Sequence, residues 1–459
     1  MMNDGTSLRS NDMQDRRYEI CPPKQIQAWL CYEFHGRERD GNLRYSQFRW
    51  RPEHFNGVDW DQNTQENAIY KLIDDPLMAD APFQPPKRPF LDRRRSSGSF
   101  WRSVLPVSYS SMSSTKKPLP QRPGKGWAED VDDEHGNNDY LMFSNIDYTR
   151  KDVREDVTYW GRWMVEDIGI DGFRLDAAQH FSYTFMRDWI QKVQDVNQPK
   201  RGKNIFVVGE VWTGELQRIT RWLDAVQLRH GPQVHAYDSP LLYNFSRLSN
   251  EMQRQKVDLR TILHGSLLET RPEAAVTLVT NHDTQPGQTS FTPMDLDNKP
   301  LFYAFILLRQ EGIPCVFWGD LFGTKGPLAE DPISDDRRRP TLLGNLMLAR
   351  RLFAHGKQTD YCKGKNCIGW TREGSEHEYG CAVLIAAGNP KMFHRIKMTL
   401  GKPGEVWVDV MGNWSHEVTI DEDGNGAFAC STGNVCIWIK KGAERTKRFP
   451  VQFDVEAGK

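Results

Sequence analysis

The sequence predicts an α/β fold, a TIM-type barrel of alternating strands and helices, joined to a β-rich lobe and an antiparallel β-sandwich. Three observations predict it. Apolar runs end in an acid at Ile170-Asp171-Gly172-Phe173-Arg174-Leu175-Asp176, at Ile205-Phe206-Val207-Val208-Gly209-Glu210 and at Val276-Thr277-Leu278-Val279-Thr280-Asn281-His282-Asp283. The three acids are 34 and 73 residues apart, about one and two strand–helix–strand units. From about residue 357 short segments alternate with Gly, Asn, Asp and Pro, the pattern of a separate sandwich. A carboxylate closing a buried strand stands at the rim of a sheet, where barrel enzymes keep their catalytic groups.

The elements follow in order. Residues 1–19 are polar and read as a disordered N-terminus. Residues 20–138 are rich in aromatic and charged residues without helical period and read as the lobe. Inside it, 73–124 is rich in Pro, Ser and Arg and reads as a disordered insertion. The barrel is expected over 139–356. Val153, Val157, Trp160 and Met164 mark one helix face, and Phe181, Phe185, Trp189 and Val193 the next. Leu301–Gln310 is an apolar helix behind Pro300, and Gly312–Asp320 reads as a buried strand. The sandwich is expected over 357–441, with strands at 367–371, 380–387, 395–400, 405–410, 416–420 and 434–440, and a tail over 442–459.

Bulk properties narrow the function. A chain of 459 residues predicts two or three domains. Sixty basic and 61 acidic side chains give a net charge of −1, so neither nucleic acid nor an acidic membrane surface is an expected partner. The runs Arg93–Arg95 and Arg337–Arg339 read as solvated loop charge. No apolar run is long enough to span a membrane, and Met1–Arg17 has no hydrophobic stretch, so a cytoplasmic protein is expected, and a monomer. The eight cysteines lack zinc-ribbon spacing; Cys315 and Cys381 read as buried thiols, Cys362 and Cys367 as free ones.

Two carboxyl groups on neighbouring strands, about 4.8 Å apart, suit cleavage of a glycosidic bond with retention, which needs roughly 5–5.5 Å between them. Arg174, two residues before Asp176 on the same strand face, would hold Asp176 ionised as a nucleophile requires. The apolar neighbours of Glu210 suit a proton donor. His282 and Asp283 would grip sugar hydroxyls and balance developing positive charge. Fifteen tryptophans offer flat apolar faces for sugar rings as well as core packing.

The segments Asp171–His180, Gly209-Glu210-Val211-Trp212 and Asn281–Gln288 resemble, in order, three signature regions of the α-amylase family of glycoside hydrolases. The likeness extends to Asp132–Met142 and Tyr303–Gly312 and covers roughly 20–72 and 125–440; it is nearest the liquefying bacterial and intracellular fungal members. It implies a (β/α)8 barrel with an inserted lobe and a C-terminal sandwich, acting on α-1,4-glucans such as starch or glycogen. It implies that Asp176 is the nucleophile, Glu210 the acid/base and Asp283 the transition-state stabiliser. Arg174 would orient the nucleophile, His282 and Trp212 would contact substrate, and Gln179, where the family has Lys, would weaken one subsite contact. A structural Ca²⁺ is implied on Asp139, Asn145 and the main-chain carbonyl of His180, all hard oxygen donors.

The chain departs from that family at its start. The signature strand expected before the lobe is absent, so the barrel is expected to be incomplete at its N-terminus, holding strands four to eight. That absence, and the composition of 73–124, are read as marks of a truncated or misassembled gene model. Two rival functions follow from the same residues: a catalytically impaired glucan-binding remnant, and a glucan-remodelling transglycosylase.

Overall fold

The computed structural model describes residues 2–9, 24–32, 38–39, 42–43, 48–73, 127–325, 342–389 and 391–443. Nearly all of the expected insertion (74–124), most of the tail (444–459) and both arginine runs lie outside the described residues. The chain divides into two compact units, one of residues 1–171 with 179–204, the other of 172–178 with 205–459.

The first unit is built on a five-stranded sheet in the order Lys24–Trp29, Met2–Arg9, Glu66–Ile73, Phe55–Asp61, Asn145–Ile146. Met2–Arg9 pairs antiparallel with both neighbours, so this part of the terminus, expected to be disordered, is strand. Strand alternation puts Ile26, Ala28 and Leu30 on one face with Ala68, Tyr70 and Leu72, and Phe55 and Val58 close the cluster. Two helices follow, Lys151–Trp163 and Tyr183–Arg201. They approach closely at Gly161, where an added Cβ would meet the Trp189 indole at 2.5 Å, and the Trp189 Nε1–H donates to the Val157 carbonyl at 3.0 Å. Phe185, Trp189 and Val193 are buried as their spacing predicts. Trp160 is 49% exposed instead, so the expected face of the first helix is only partly apolar core.

The second unit holds five parallel strands in sequence order, Gly172–Leu175, Phe206–Gly209, Val234–Tyr237, Ala275–Leu278 and Ile313–Cys315, an open half of a barrel. The expected long buried strand at 312–320 is three residues, with Ile313 40% exposed and Cys315 half-buried, because it forms the edge of this sheet. The chain then turns into the short helix Trp318–Phe322. The helix Lys299–Leu308 is buried on every side, as an all-apolar helix must be.

A six-stranded antiparallel sheet (Gln358–Tyr361, Cys367–Arg372, Cys381–Ala386, Asn434–Lys440, Val406–Asp409, Val418–Thr419) and the pair Phe393–Thr399 with Asn425–Ser431 form the sandwich. Leu384, Met398, Trp407, Phe428 and Trp438 fill it. Its side chains, with Arg350 of the helix Leu342–Phe353, also finish the barrel helix 299–308, whose last carbonyls have no partner within the helix. Trp370 Nε1–H donates to Leu308 at 3.1 Å, Arg372 to the same carbonyl at 3.3 Å, and Arg350 to Leu307 at 2.6 Å. Arg309 reaches Asp360 through two bonds of 2.9 Å. The seven described cysteines are all free thiols. Among the described residues no helix is long and apolar enough to cross a membrane.

Candidate active site and metal centre

The strand Gly172–Leu175 runs in parallel register with Phe206–Gly209, pairing Arg174 with Val208 and Leu175 with Gly209. The next rung therefore sets Asp176 beside Glu210. The Glu210 N–H donates to the Leu175 carbonyl at 2.9 Å, and the Ala178 N–H to the Glu210 carbonyl at 2.8 Å, fixing both ends of the rung. Between them Ala177 has φ +46°, a left-handed conformation rare outside glycine and common at functional turns. That turn aims the Ala177 N–H at Glu210 Oε2, 3.3 Å away.

Arg174 binds both acids. Its Nη1 lies 2.7 Å from Asp176 Oδ1 and its Nη2 2.7 Å from Glu210 Oε1. Burial alone would favour loss of its proton, but the charge of Glu210, then their hydrogen bond and Asp176, outweigh it and push the guanidinium up, a fixed cation. The two acids differ in exposure: the Glu210 side chain is 10% exposed and that of Asp176 72%. One is seated in the sheet and the other opens to solvent.

Gly209 explains how Glu210 is seated. A Cβ there would stand 2.2 Å from the ring of Trp222, a fully buried side chain of the helix Leu216–Val226. Gly209→Ala is expected to lower stability by about 1–3 kcal/mol through overpacking and to shift Glu210 with it. Thermal melts and kcat measured together check this; a variant of parental Tm and kcat would mean the helix yields freely.

The third strand adds residues that sequence reasoning passed over. Burial pushes the Tyr237 phenol up, with the charge of Arg174 opposing the shift. Asp238 also closes a strand, yet it is wholly buried and accepts from the N–H groups of Leu241, Leu267 and Leu268. Burial, opposed by those three bonds, raises its carboxyl to about 6. It caps the helix Ser239–Gln253 and is a fold residue. The signal was present in Val234–Asp238, another short run ending in an acid, but too brief to separate from a loop.

Asp283 lies beyond the fourth strand in a turn fastened by Asn281. The Asn281 Oδ1 accepts from the N–H groups of Asp283 and Thr284 at 2.9 and 2.8 Å. His282 Nε2 lies 3.2 Å from Asp283 Oδ2, and both side chains are well exposed. Trp212, two residues past Glu210, packs edge-on to Tyr243 with ring centroids 6.3 Å apart. Gln179 falls in the other unit, where its carbonyl accepts from the Asp132 N–H at 3.2 Å.

Two of the expected metal ligands, Asp139 and Asn145, meet in the first unit. Asp139 is buried, and its Oδ2 accepts from Asn56 Nδ2 at 2.9 Å, the Ala128 N–H at 3.1 Å and Asn145 Nδ2 at 3.2 Å. His180 is tied to the neighbouring segment by its Nδ1, 2.7 Å from the Asn138 carbonyl. Burial pushes the Asp139 carboxyl up to about 7. Among the described residues no three His, Cys, Asp or Glu side chains cluster as a metal site. The donors here are one carboxylate, amides and carbonyls, and a desolvated carboxylate whose hydrogen-bond donors are all neutral and whose charge is opposed by nearby Asp147 is a place where a hard cation fits. Asn56, which joins Asp139 to Asn145 (Asn145 Nδ2 to Asn56 Oδ1, 2.7 Å), was not among the expected ligands.

Comparison with known proteins identifies the family of the chain. The family model "Alpha amylase, catalytic domain" matches residues 119–342. The α-amylase of Bacillus licheniformis is 34% identical over 435 residues, 94% of this chain and 71% of that protein. The cytoplasmic α-amylase of Escherichia coli K12 is 34% identical over 425 residues, 90% of this chain and 72% of that protein. Among solved structures, the α-amylase of Geobacillus thermoleovorans complexed with acarbose has a TM-score of 0.49 and 17% identity over 66% of this chain and 67% of that one. With a parallel half-barrel, paired strand-end acids and relatives of this identity over most of its length, the chain belongs to the α-amylase family and is a glycoside hydrolase of α-1,4-glucans.

Proposed function

We propose that Asp176 and Glu210 carry out retaining, endo-acting cleavage of α-1,4-glucosidic bonds. The observation that supports this most is that Asp176 and Glu210 close adjacent parallel strands, the Glu210 N–H bonded to the Leu175 carbonyl at 2.9 Å, with Arg174 Nη1 2.7 Å from Asp176 to keep the nucleophile ionised. In the first step the Glu210 carboxyl gives its proton to the glycosidic oxygen as that bond breaks, and an Asp176 oxygen bonds to the anomeric carbon. In the second, Glu210 takes a proton from water, whose oxygen displaces Asp176 and regenerates both groups. Exposure suits these roles: the open Asp176 can reach a sugar carbon, and the seated Glu210 moves only a proton. Asp283 offers negative charge to the oxocarbenium-like transition state, with His282 orienting it. Trp212 and His282 contact the sugar, and Gln179 leaves a subsite without the family's lysine.

A calcium ion on Asp139, Asn145 and the His180 carbonyl belongs to the same proposal; bound there it would neutralise a buried carboxylate and fasten the loop that carries it. A cytoplasmic setting is supported by the description of the Escherichia coli relative. Two displacements at one carbon preserve configuration, so NMR of the first products of maltoheptaose should show α-anomers. Early β-anomer would overturn the assignment of Asp176 as nucleophile. Starch viscosity falling faster than reducing ends appear checks the endo mode.

A further inference from the structure

We infer that Tyr237 is a further positioning residue of this reaction: its phenol oxygen shares Arg174 with Glu210 and so leaves Glu210 able to hold the proton it gives up. The inference deepens the proposed function and rests on its reading of Glu210 as the proton donor.

The placement follows from strand register. The strand Phe206–Gly209 has a parallel neighbour on each side, with Leu175 opposite Gly209 on one and Ala236 opposite Gly209 on the other. One residue further along the three strands stand Asp176, Glu210 and Tyr237, so the proton donor lies between the nucleophile and a phenol. Neighbours in one rung point to the same face of a sheet, as do residues two apart on one strand. Arg174 therefore shares that face. The half-buried phenol lies in the opposed fields of Arg174 and Glu210, and in that of the Cys315 thiol across the sheet.

The main chain beside it is firmly held. The Asp238 N–H donates to the Val276 carbonyl at 2.9 Å, and the Asp238 carboxylate accepts from Leu241, Leu267 and Leu268. His235, two residues earlier, stacks on Phe206 with ring centroids 4.7 Å apart, and its Nδ1 lies 3.2 Å from the Val207 carbonyl. The strand Ala275–Leu278, between Tyr237 and Cys315, carries no titratable side chain. Beyond the strand ends are His282 and Asp283, 3.2 Å apart.

The chemistry assigns the role. Arg174 Nη2 lies 2.7 Å from Glu210 Oε1, and a cation that close favours the ionised carboxylate. A proton donor has to be a carboxyl when the glycosidic oxygen arrives. Protonation removes the attraction that holds Nη2, and its N–H then needs another acceptor. A guanidinium only donates, so towards Arg174 the phenol acts as that acceptor. Burial pushes the phenol up and keeps it neutral, so it takes the N–H without adding a charge. Nη1 keeps its place 2.7 Å from Asp176, and the nucleophile stays ionised.

The test is Tyr237→Phe in the full chain, which keeps the ring and removes the oxygen. Nη2 then has only Glu210 to bind, so Glu210 loses its proton at lower pH. The alkaline limb of kcat/KM on maltoheptaose reports the essential acid of the free enzyme and should move down by about one pH unit, a loss that grows to about tenfold above the limb. Dinitrophenyl α-maltoside releases its leaving group without a proton, so on that substrate the loss should not grow with pH. An unmoved or raised limb on maltoheptaose would overturn the inference. A loss of one size at every pH on both substrates would also overturn it, since that is what a ring serving only to pack produces. A parent that keeps its alkaline limb on the dinitrophenyl substrate would defeat the reading of Glu210 as donor, and this inference with it. A limb that vanishes there, yet stays put on maltoheptaose in Tyr237→Phe, would defeat this inference alone.

Discussion

Glu210→Gln should lower kcat on starch by about 10³-fold or more, within the range by which a positioned proton donor accelerates such steps. The amide keeps the shape of the side chain and its bond from Ala177, so the melt should be close to the parent's. It has no proton of suitable acidity for the leaving oxygen. Asp176→Asn should be as inactive for a different reason, because an amide cannot form the glycosyl ester. A fluorinated glycosyl donor with a good leaving group separates the two. That donor needs no protonation to leave, so Glu210→Gln should accumulate a covalent adduct visible in the mass of the intact chain, and Asp176→Asn should not. Adduct on Asp176→Asn would remove Asp176 from the mechanism; unimpaired starch cleavage by Glu210→Gln would remove the pair.

The buried Asp139 should make stability depend on pH in a direction unusual for a carboxylate. Burial raises its pKa from the usual 3.8 to about 7, so the metal-free fold favours the protonated form. Its contribution is complete below about pH 4 and is lost as pH rises through about 7, at most on the order of 4 kcal/mol. A bound cation favours the ionised form and reverses the trend. Calcium should therefore raise Tm more near pH 8 than near pH 5. Asp139→Asn should remove most of the calcium response and lose less stability than the parent on raising pH without metal. A calcium shift equal at both pH values would sink the assignment of Asp139 as a ligand.

The site was legible where chemistry and strand pattern coincide. Asp176, Glu210 and Arg174 sit in runs whose apolar stretch fixes the strand and whose spacing fixes the neighbour, and parallel register does the rest. The strand Val234–Tyr237 was invisible, since four residues between turn signals read as loop until a sheet claims them; with it Tyr237 was missed. Gln358–Tyr361 and Asn425–Ser431 in the sandwich escaped likewise, the first polar throughout and the second opening on Asn-Gly. The error at Gly312–Asp320 has the opposite cause: apolar residues there serve a sheet edge and a short helix, and hydrophobicity alone does not distinguish these from a buried strand. Asn56 could not be read as a partner of Asp139, because their 83-residue separation is closed only by folding.

The carbonyls at the end of Lys299–Leu308 are completed by Trp370, Arg372 and Arg350, and the first two come from the sandwich. Orphaned buried carbonyls are costly, which bears on how this protein can be cut and recombined. A catalytic fragment ending near residue 355 would keep the Arg350 bond to Leu307 but strip the Leu308 carbonyl of both its side-chain donors. A sandwich grafted from another member of the family would need donors at the positions of Trp370 and Arg372. The two layers are thus inherited together, and divergence at that seam is constrained by pairs of residues lying on opposite sides of what looks, in sequence, like a module boundary.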